Sequence, residues 1–224
     1  MVANFAKVGC EAVGADPTLA YTGGLYYDVG KVFCSEYFVE NQRSGQNRHD
    51  KLLPSMSALI LINHVKEGVE LARQEHLPPP IIDAIEQHHG TRVIQFFFNR
   101  ACEQGDPAAA EVSEGKYRYP GPKPQNKVMG VLMLADAVEA ASRTVTDPNP
   151  AKVRALIRTL VEDCLADGQL DHTNLTLSDL NKVSEAFLRV LTNIFHRRVE
   201  YPGFDFNAEP RREPRPVTGA FRAS

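Results

Sequence analysis

The sequence predicts an all-α bundle of about seven helices. Three observations lead there. Apolar residues recur at helical spacing through most of the 224 residues, while strand-like alternation is scarce. Proline and capping residues punctuate those periodic stretches, as at Asp16-Pro17, Pro54 and Pro150. The balance of 43% hydrophobic and 24% charged residues suits a soluble globular chain long enough to bury a sizeable core.

The first helix spans residues 2–13 and stops at Gly14. It starts without a capping residue, which reads as a chain that continues upstream. Asp16-Pro17 opens a second helix to about residue 32. Residues 34–53 are polar and read as a loop. Pro54 opens a long helix to residue 74, and Leu77-Pro78-Pro79-Pro80 separates it from a single helix over 80–102. Residues 103–125, rich in Gly, Pro and Ala, form a long linker of the kind that carries function. Helices over 127–143, 150–167 and 177–198 follow, with Asp147 and Asp179 near helix starts. The end of the chain, with "AEPRREPRP", has the composition of a disordered tail.

A net charge of -3 argues against a broad surface for a nucleic-acid polymer. A small anionic substrate stays open, because a metal ion can supply local positive charge. The four cysteines form no CxxC pair and read as free thiols of a reducing compartment. The longest apolar run, "ALILI", is too short to span a bilayer.

The chemistry lies in ionisable residues on apolar faces. His64 sits beside the stripe Leu61, Val65, Val69 and Ala72. His88 and His89 continue the i, i+4, i+7, i+8 pattern begun by Ile81 and Ile85. Asp136 follows Val128 and Leu132 at i+8, and Asp28 lies one turn after Leu25. Singly, each suits a hydrogen-bonded core group or a cap. Together, four helices aim imidazoles and carboxylates inward, which is tenable only if they are paired or bind a metal such as Mn, Fe or Zn.

The segments holding these residues resemble the HD-domain phosphohydrolases. They resemble most the cytoplasmic HD domain of bacterial seven-transmembrane membrane-associated HD hydrolases, a group that includes cyclic di-AMP phosphodiesterases. The likeness rests on "YYDVGK", "EYFVENQ", "HDKLLPSMSALILINHVKEGVELA", "IIDAIEQHHGT", "YRYPGPKPQNK", "MLADAVEAASR" and "DGQLD", in order across residues 2–202. It implies an HD domain over 1–202 and a separate tail over 203–224. It implies that Asp28, His64, His88, His89 and Asp136 are metal ligands, with Asp28 bridging two ions. Lys31 matches the lysine of HDxGK and would meet a substrate phosphate beside Tyr37 and Asn41 of the "YFVENQ" loop. Asp28 and Lys31 would then be the catalytic pair.

The resemblance further implies Mn or Fe as cofactor and a cyclic dinucleotide as substrate. It implies attachment to the cytoplasmic side of a bacterial inner membrane through a region not in this chain, and a homodimer. The sequence departs from the family at two points. Tyr27 stands where the histidine of the HD pair belongs, and the family's first ligand histidine lies upstream of "VAN". The site near Asp136 is therefore expected to be impaired, and the one formed by Asp28 and the three histidines to survive. Phosphodiesterase activity is expected to be weak. The rival readings are a signalling pseudoenzyme that binds a nucleotide or one metal without hydrolysis, and a plain helical interaction module.

Overall fold

A computed structural model describes residues 1–42, 47–104, 113–146 and 148–196. Among them are eight α-helices, joined by short 3-10 segments, and no strand longer than an isolated bridge. The helices are α1 (Val2–Val13), α2 (Pro17–Tyr26), α3 (Pro54–Gln74), α4 (Pro79–Gln87), α5 (Gln95–Gln104), α6 (Lys127–Ser142), α7 (Pro150–Ala166) and α8 (Leu177–His196). No described helix is long and apolar enough to cross a membrane. The expected tail over 203–224 and Asp147 lie outside the described residues.

Helix α6 is the axis of the bundle. Met129, Val131, Leu132, Met133, Leu134 and Val138 are all buried, so it is apolar on nearly every side. Helices α1, α2, α7 and α8 close around it. Gly9 of α1 makes room for Val131 and Phe187, and Phe5 meets Phe187 edge to face at 5.4 Å. Truncating either ring to alanine would cost about 3–5 kcal/mol. The helix starts follow local chemistry. Asp16 accepts from the N–H groups of Thr18 and Leu19, and Thr176 and Asp179 bond each other's N–H in a capping box.

Two expectations about helix length need correction, and both corrections build the site. Helix α2 ends at Tyr26, not near residue 32, and the chain passes through Asp28 into a 3-10 segment over Val29–Tyr37. Gly30 of that segment lies against the backbone of α3 at His64 and Gly68, where no side chain would fit. Leu25, read as an inward neighbour of Asp28, is 60% exposed. The helix expected over 80–102 is two helices. After α4, Gly90 takes a left-handed φ of 53°, and the chain runs extended before α5 begins. The apolar periodicity on both sides hid this turn, because a tertiary contact sets it. The carbonyl of Tyr117 accepts from Ile94 N–H at 2.7 Å, and the carbonyl of Arg92 accepts from Tyr119 N–H at 3.0 Å. The described part of the expected linker is thereby ordered against the turn. The polar stretch over 34–53 is partly 3-10, at Val39–Asn41 and Arg48–Lys51.

Candidate metal centre

Four elements deliver the ionisable groups. Asp28 stands at the α2 end, His64 on α3, His88 and His89 at the α4 end, and Asp136 on α6. The close approach of Gly30 and Gly68 sets Asp28 against His64. Asp28 Oδ1 lies 3.4 Å from His64 Nε2 and 3.7 Å from His88 Nε2, and the two Nε2 atoms are 3.3 Å apart. Donor atoms of Asp28, His64, His88 and His89 all fall within 4.8 Å of one another.

The hydrogen bonds behind the rings decide which atoms face the centre. His88 Nδ1 donates to the carbonyl of Ile85 at 2.8 Å, and His64 Nδ1 donates to the carbonyl of Leu61. A carbonyl only accepts, so both rings carry their proton on Nδ1 and turn an Nε2 lone pair towards Asp28. Asp28 Oδ1 is buried and accepts no hydrogen bond among the described residues. Two lone pairs and a carboxylate oxygen thus converge with no proton between them, an arrangement that calls for a cation. Three imidazoles and a carboxylate are the donor set of divalent transition metals. Ligands about 2.1 Å from one ion lie at most about 4.2 Å apart. The four residues fit such an ion after contracting by about half an ångström.

The electrostatics agree. Burial pushes His88 down to about 3 and holds His89 well below its ordinary value. Burial would raise the Asp28 carboxyl, but its neighbours, the Lys31 ammonium among them, outweigh it and hold it below the usual range. Lys31 Nζ is 2.7 Å from Asp28 Oδ2 and 2.7 Å from Glu40 Oε1, so the lysine is a cation bracketed by two carboxylates.

The other corner of the cavity differs. Asp136 Oδ2 is 3.7 Å from His89 Nδ1, but Asp136 stands outside the four-residue cluster. The Tyr27 phenol lies beside both carboxylates and meets the His88 ring edge-on at 5.0 Å. Burial and the charges of Asp136 and Asp28 raise the phenol far above its ordinary pKa, so it is neutral. Burial and the Asp28 charge also raise Asp136.

The family model for the HD domain matches residues 1–141. The chain belongs to the HD-domain family. It is 43% identical over 202 residues to the cyclic-di-AMP phosphodiesterase PgpH of Bacillus subtilis, and 39% identical to that of Listeria monocytogenes. Each match covers 90% of this chain, which spans 28% of the relative's length. A crystal structure of the L. monocytogenes PgpH HD domain in complex with cyclic-di-AMP superposes with a TM-score of 0.83 at 38% identity, covering 87% of this chain and 89% of that one.

Within this HD domain, Asp28, His64, His88 and His89 come together, Asp136 stands at their edge, and Lys31 touches Asp28. The Tyr37 carbonyl accepts from His49 Nε2 at 2.9 Å, and Asn41 is exposed. Sequence reasoning missed two residues. Glu40, beside Asn41, is the loop side chain that reaches Lys31. Tyr119 stacks on His89, with centroids 4.1 Å apart and planes at 25°. The run "YRYPGPKPQNK" was a signal for Tyr119, but only the pairing of residues 92–94 with 117–119 shows which histidine it covers.

Proposed function

We propose that this HD domain is a metal-dependent phosphodiesterase domain acting on a cyclic dinucleotide, cyclic di-AMP, which it opens to the linear dinucleotide, and that Tyr27 makes it a slow one. The observation that carries this is the meeting of Asp28 Oδ1, buried with no hydrogen bond, with the Nε2 atoms of His64 and His88. The substrate rests on the likeness to the Listeria domain solved with cyclic-di-AMP.

Asp28, His64, His88 and His89 would hold one divalent transition-metal ion, with Mn or Fe the choice that the family resemblance implies. When bound, such an ion supplies Lewis acidity to a phosphodiester and to an attacking water. The residues do the rest. Lys31 is held protonated because Asp28 and Glu40 outweigh its burial. By exchanging Glu40 for a phosphodiester oxygen it keeps its charge paired while it orients the phosphate. Tyr37 and Asn41, on the loop that carries Glu40, would line the path of the nucleotide. Asp136 would serve a second ion if an imidazole stood at position 27. A neutral phenol donates a hydrogen bond more readily than it ligates. That corner therefore balances its charge with a proton, and the reaction loses one of its two Lewis acids.

A second reading, a signalling domain that binds a nucleotide or one metal without hydrolysis, is favoured by Tyr27 itself. Three measurements on the whole chain separate the readings. Elemental analysis after anaerobic purification should find about one Mn or Fe per chain, following from one complete four-residue set. Calorimetry should show cyclic di-AMP binding more tightly than ATP. Hydrolysis of cyclic di-AMP with added Mn should be slow but abolished by a chelator. A chain that takes up no Mn sinks the phosphodiesterase reading, one that binds neither Mn nor cyclic di-AMP sinks both, and metal-bound chain with no turnover leaves the signalling one.

A further inference from the structure

The turn that carries the two histidines is gripped from outside the cavity. Thr91, two residues past His89, has all three of its polar groups engaged by two side chains. Its N–H donates to Gln169 Oε1 at 2.9 Å, its Oγ1 accepts from Gln169 Nε2 at 2.9 Å, and its carbonyl accepts from an Arg118 terminal nitrogen at 2.7 Å. Gln169 is fully buried, and its amide also donates to Asp167 Oδ2 at 2.9 Å. Arg118 closes the ring with two bonds to the Asp167 carboxylate, at 2.9 and 3.1 Å. Burial would raise that carboxyl, but the bonds from Arg118 and Gln169 hold it below the usual range. No metal or substrate chemistry needs these groups.

Its position relative to His89 gives it a role. Arg118 immediately precedes Tyr119, whose ring stacks on His89. The network therefore fixes the backbone just after His89 and the backbone just before the ring that covers His89. Gly90 between them leaves no slack, since a side chain there would run into Gln169 and Met133. A four-residue ligand set that needs to contract by only about half an ångström depends on such a fixed ring.

We propose that Gln169, Asp167 and Arg118 are positioning residues for His89, locking the Thr91 turn and Tyr119 together so that the imidazole faces the metal position before any ion arrives. This rests on the metal reading of the centre. The alternative is a brace that stabilises the fold and leaves the site indifferent.

The test uses the full chain with Gln169→Ala, and with Thr91→Val and Arg118→Lys as milder companions that report if Gln169→Ala fails to fold. In chelator-treated protein, the His89 imidazole resonances should carry the ring-current shift of the stacked Tyr119. Gln169→Ala should move them towards unstacked values while leaving those of His64 in place. Mn affinity, read by electron paramagnetic resonance, should fall about 10–100-fold, the usual effect of removing a ligand's support. The milder variants should fall between. Unchanged His89 resonances with a lowered melting temperature would overturn the proposal and leave a plain brace. If the unaltered chain binds no Mn, the metal reading fails, and the His89 resonances alone decide whether the network positions the ring.

Discussion

On one side of Asp28, His64 and His88 turn Nε2 lone pairs to a common point, with His89 alongside. On the other side, a phenol sits between Asp28 and Asp136. Both corners are buried and built around carboxylates, yet they balance charge differently. The histidine corner has donors and no protons, so it needs an ion. The tyrosine corner supplies its own proton from the neutral phenol, beside an Asp136 whose pKa burial and Asp28 raise. The two corners thus differ by the residue type at position 27, a phenol where the histidine corner has imidazoles.

The largest effect should follow from breaking the histidine corner at its carboxylate. Asp28→Asn removes the one anion that both Nε2 atoms face, and Mn affinity should fall on the order of 100-fold or more, exceeding what the loss of a supporting group alone does. Isothermal titration with Mn checks this, and an unchanged affinity would remove Asp28 from the ligand set.

Acid should break the same corner without mutation. With metal chelated, His88 is held near 3 in the folded chain against an ordinary 6.5, and His89 is shifted the same way. The unfolded chain therefore binds more protons in that window, so stability is complete above about pH 6.5 and is lost as pH falls towards 3. Asp136, shifted upward, opposes one of the two imidazoles. The net slope should approach about 1.4 kcal/mol per pH unit. Urea midpoints from pH 7 to 4 measure it, and a flat profile would contradict neutral, buried imidazoles.

Gly30→Ala should act on both corners through the frame. A methyl there meets the His64 carbonyl and Gly68, so α3 must shift, at a cost of about 1–3 kcal/mol. The denaturant midpoint should drop and Mn binding should weaken with it. Loss of stability with intact Mn affinity would show that the contact holds the helices and not the ligands.

The smallest effect should be the sharpest comparison. Tyr27→Phe removes only the hydroxyl beside the two carboxylates. Stability should fall by about 1 kcal/mol, the scale of one hydrogen-bonding group. Mn affinity should change less than about threefold, about half of the 1.4 kcal/mol that a tenfold step represents. A large gain or loss of Mn binding would mean that the two corners are one site.

Much of this was legible in the sequence because it was local. The ends of α1 and α3 were marked by Gly14 and Pro54, and the inward placement of His64, His88 and Asp136 followed from helical spacing. The family's motifs marked Lys31 for a substrate phosphate, and its ion pair with Asp28 at 2.7 Å was not foreseen. What stayed hidden was set at long range. The break after α4 depends on Gln169 and Arg118, 78 and 27 residues away from Thr91, and periodicity cannot register them. Leu25 looked like a core position because its spacing to Asp28 is helical, but the chain leaves the helix at Tyr26. Glu40 was passed over for Asn41 because a polar loop gives no sign of which side chain turns back to Lys31.

The pairing of residues 92–94 with 117–119 also bears on how this chain can vary in length. The bonds from Ile94 to Tyr117 and from Tyr119 to Arg92 pinch the chain into a neck, with α5 and everything up to residue 116 beyond it. Both sides of the neck that face the site are pinned, so a change in length beyond it leaves the backbone on the site side fixed. Doubling a closed segment costs only about 0.6 kcal/mol of closure entropy. This HD domain can thus gain or lose sequence beyond the neck, or accept a grafted module there, without moving His89 or Tyr119.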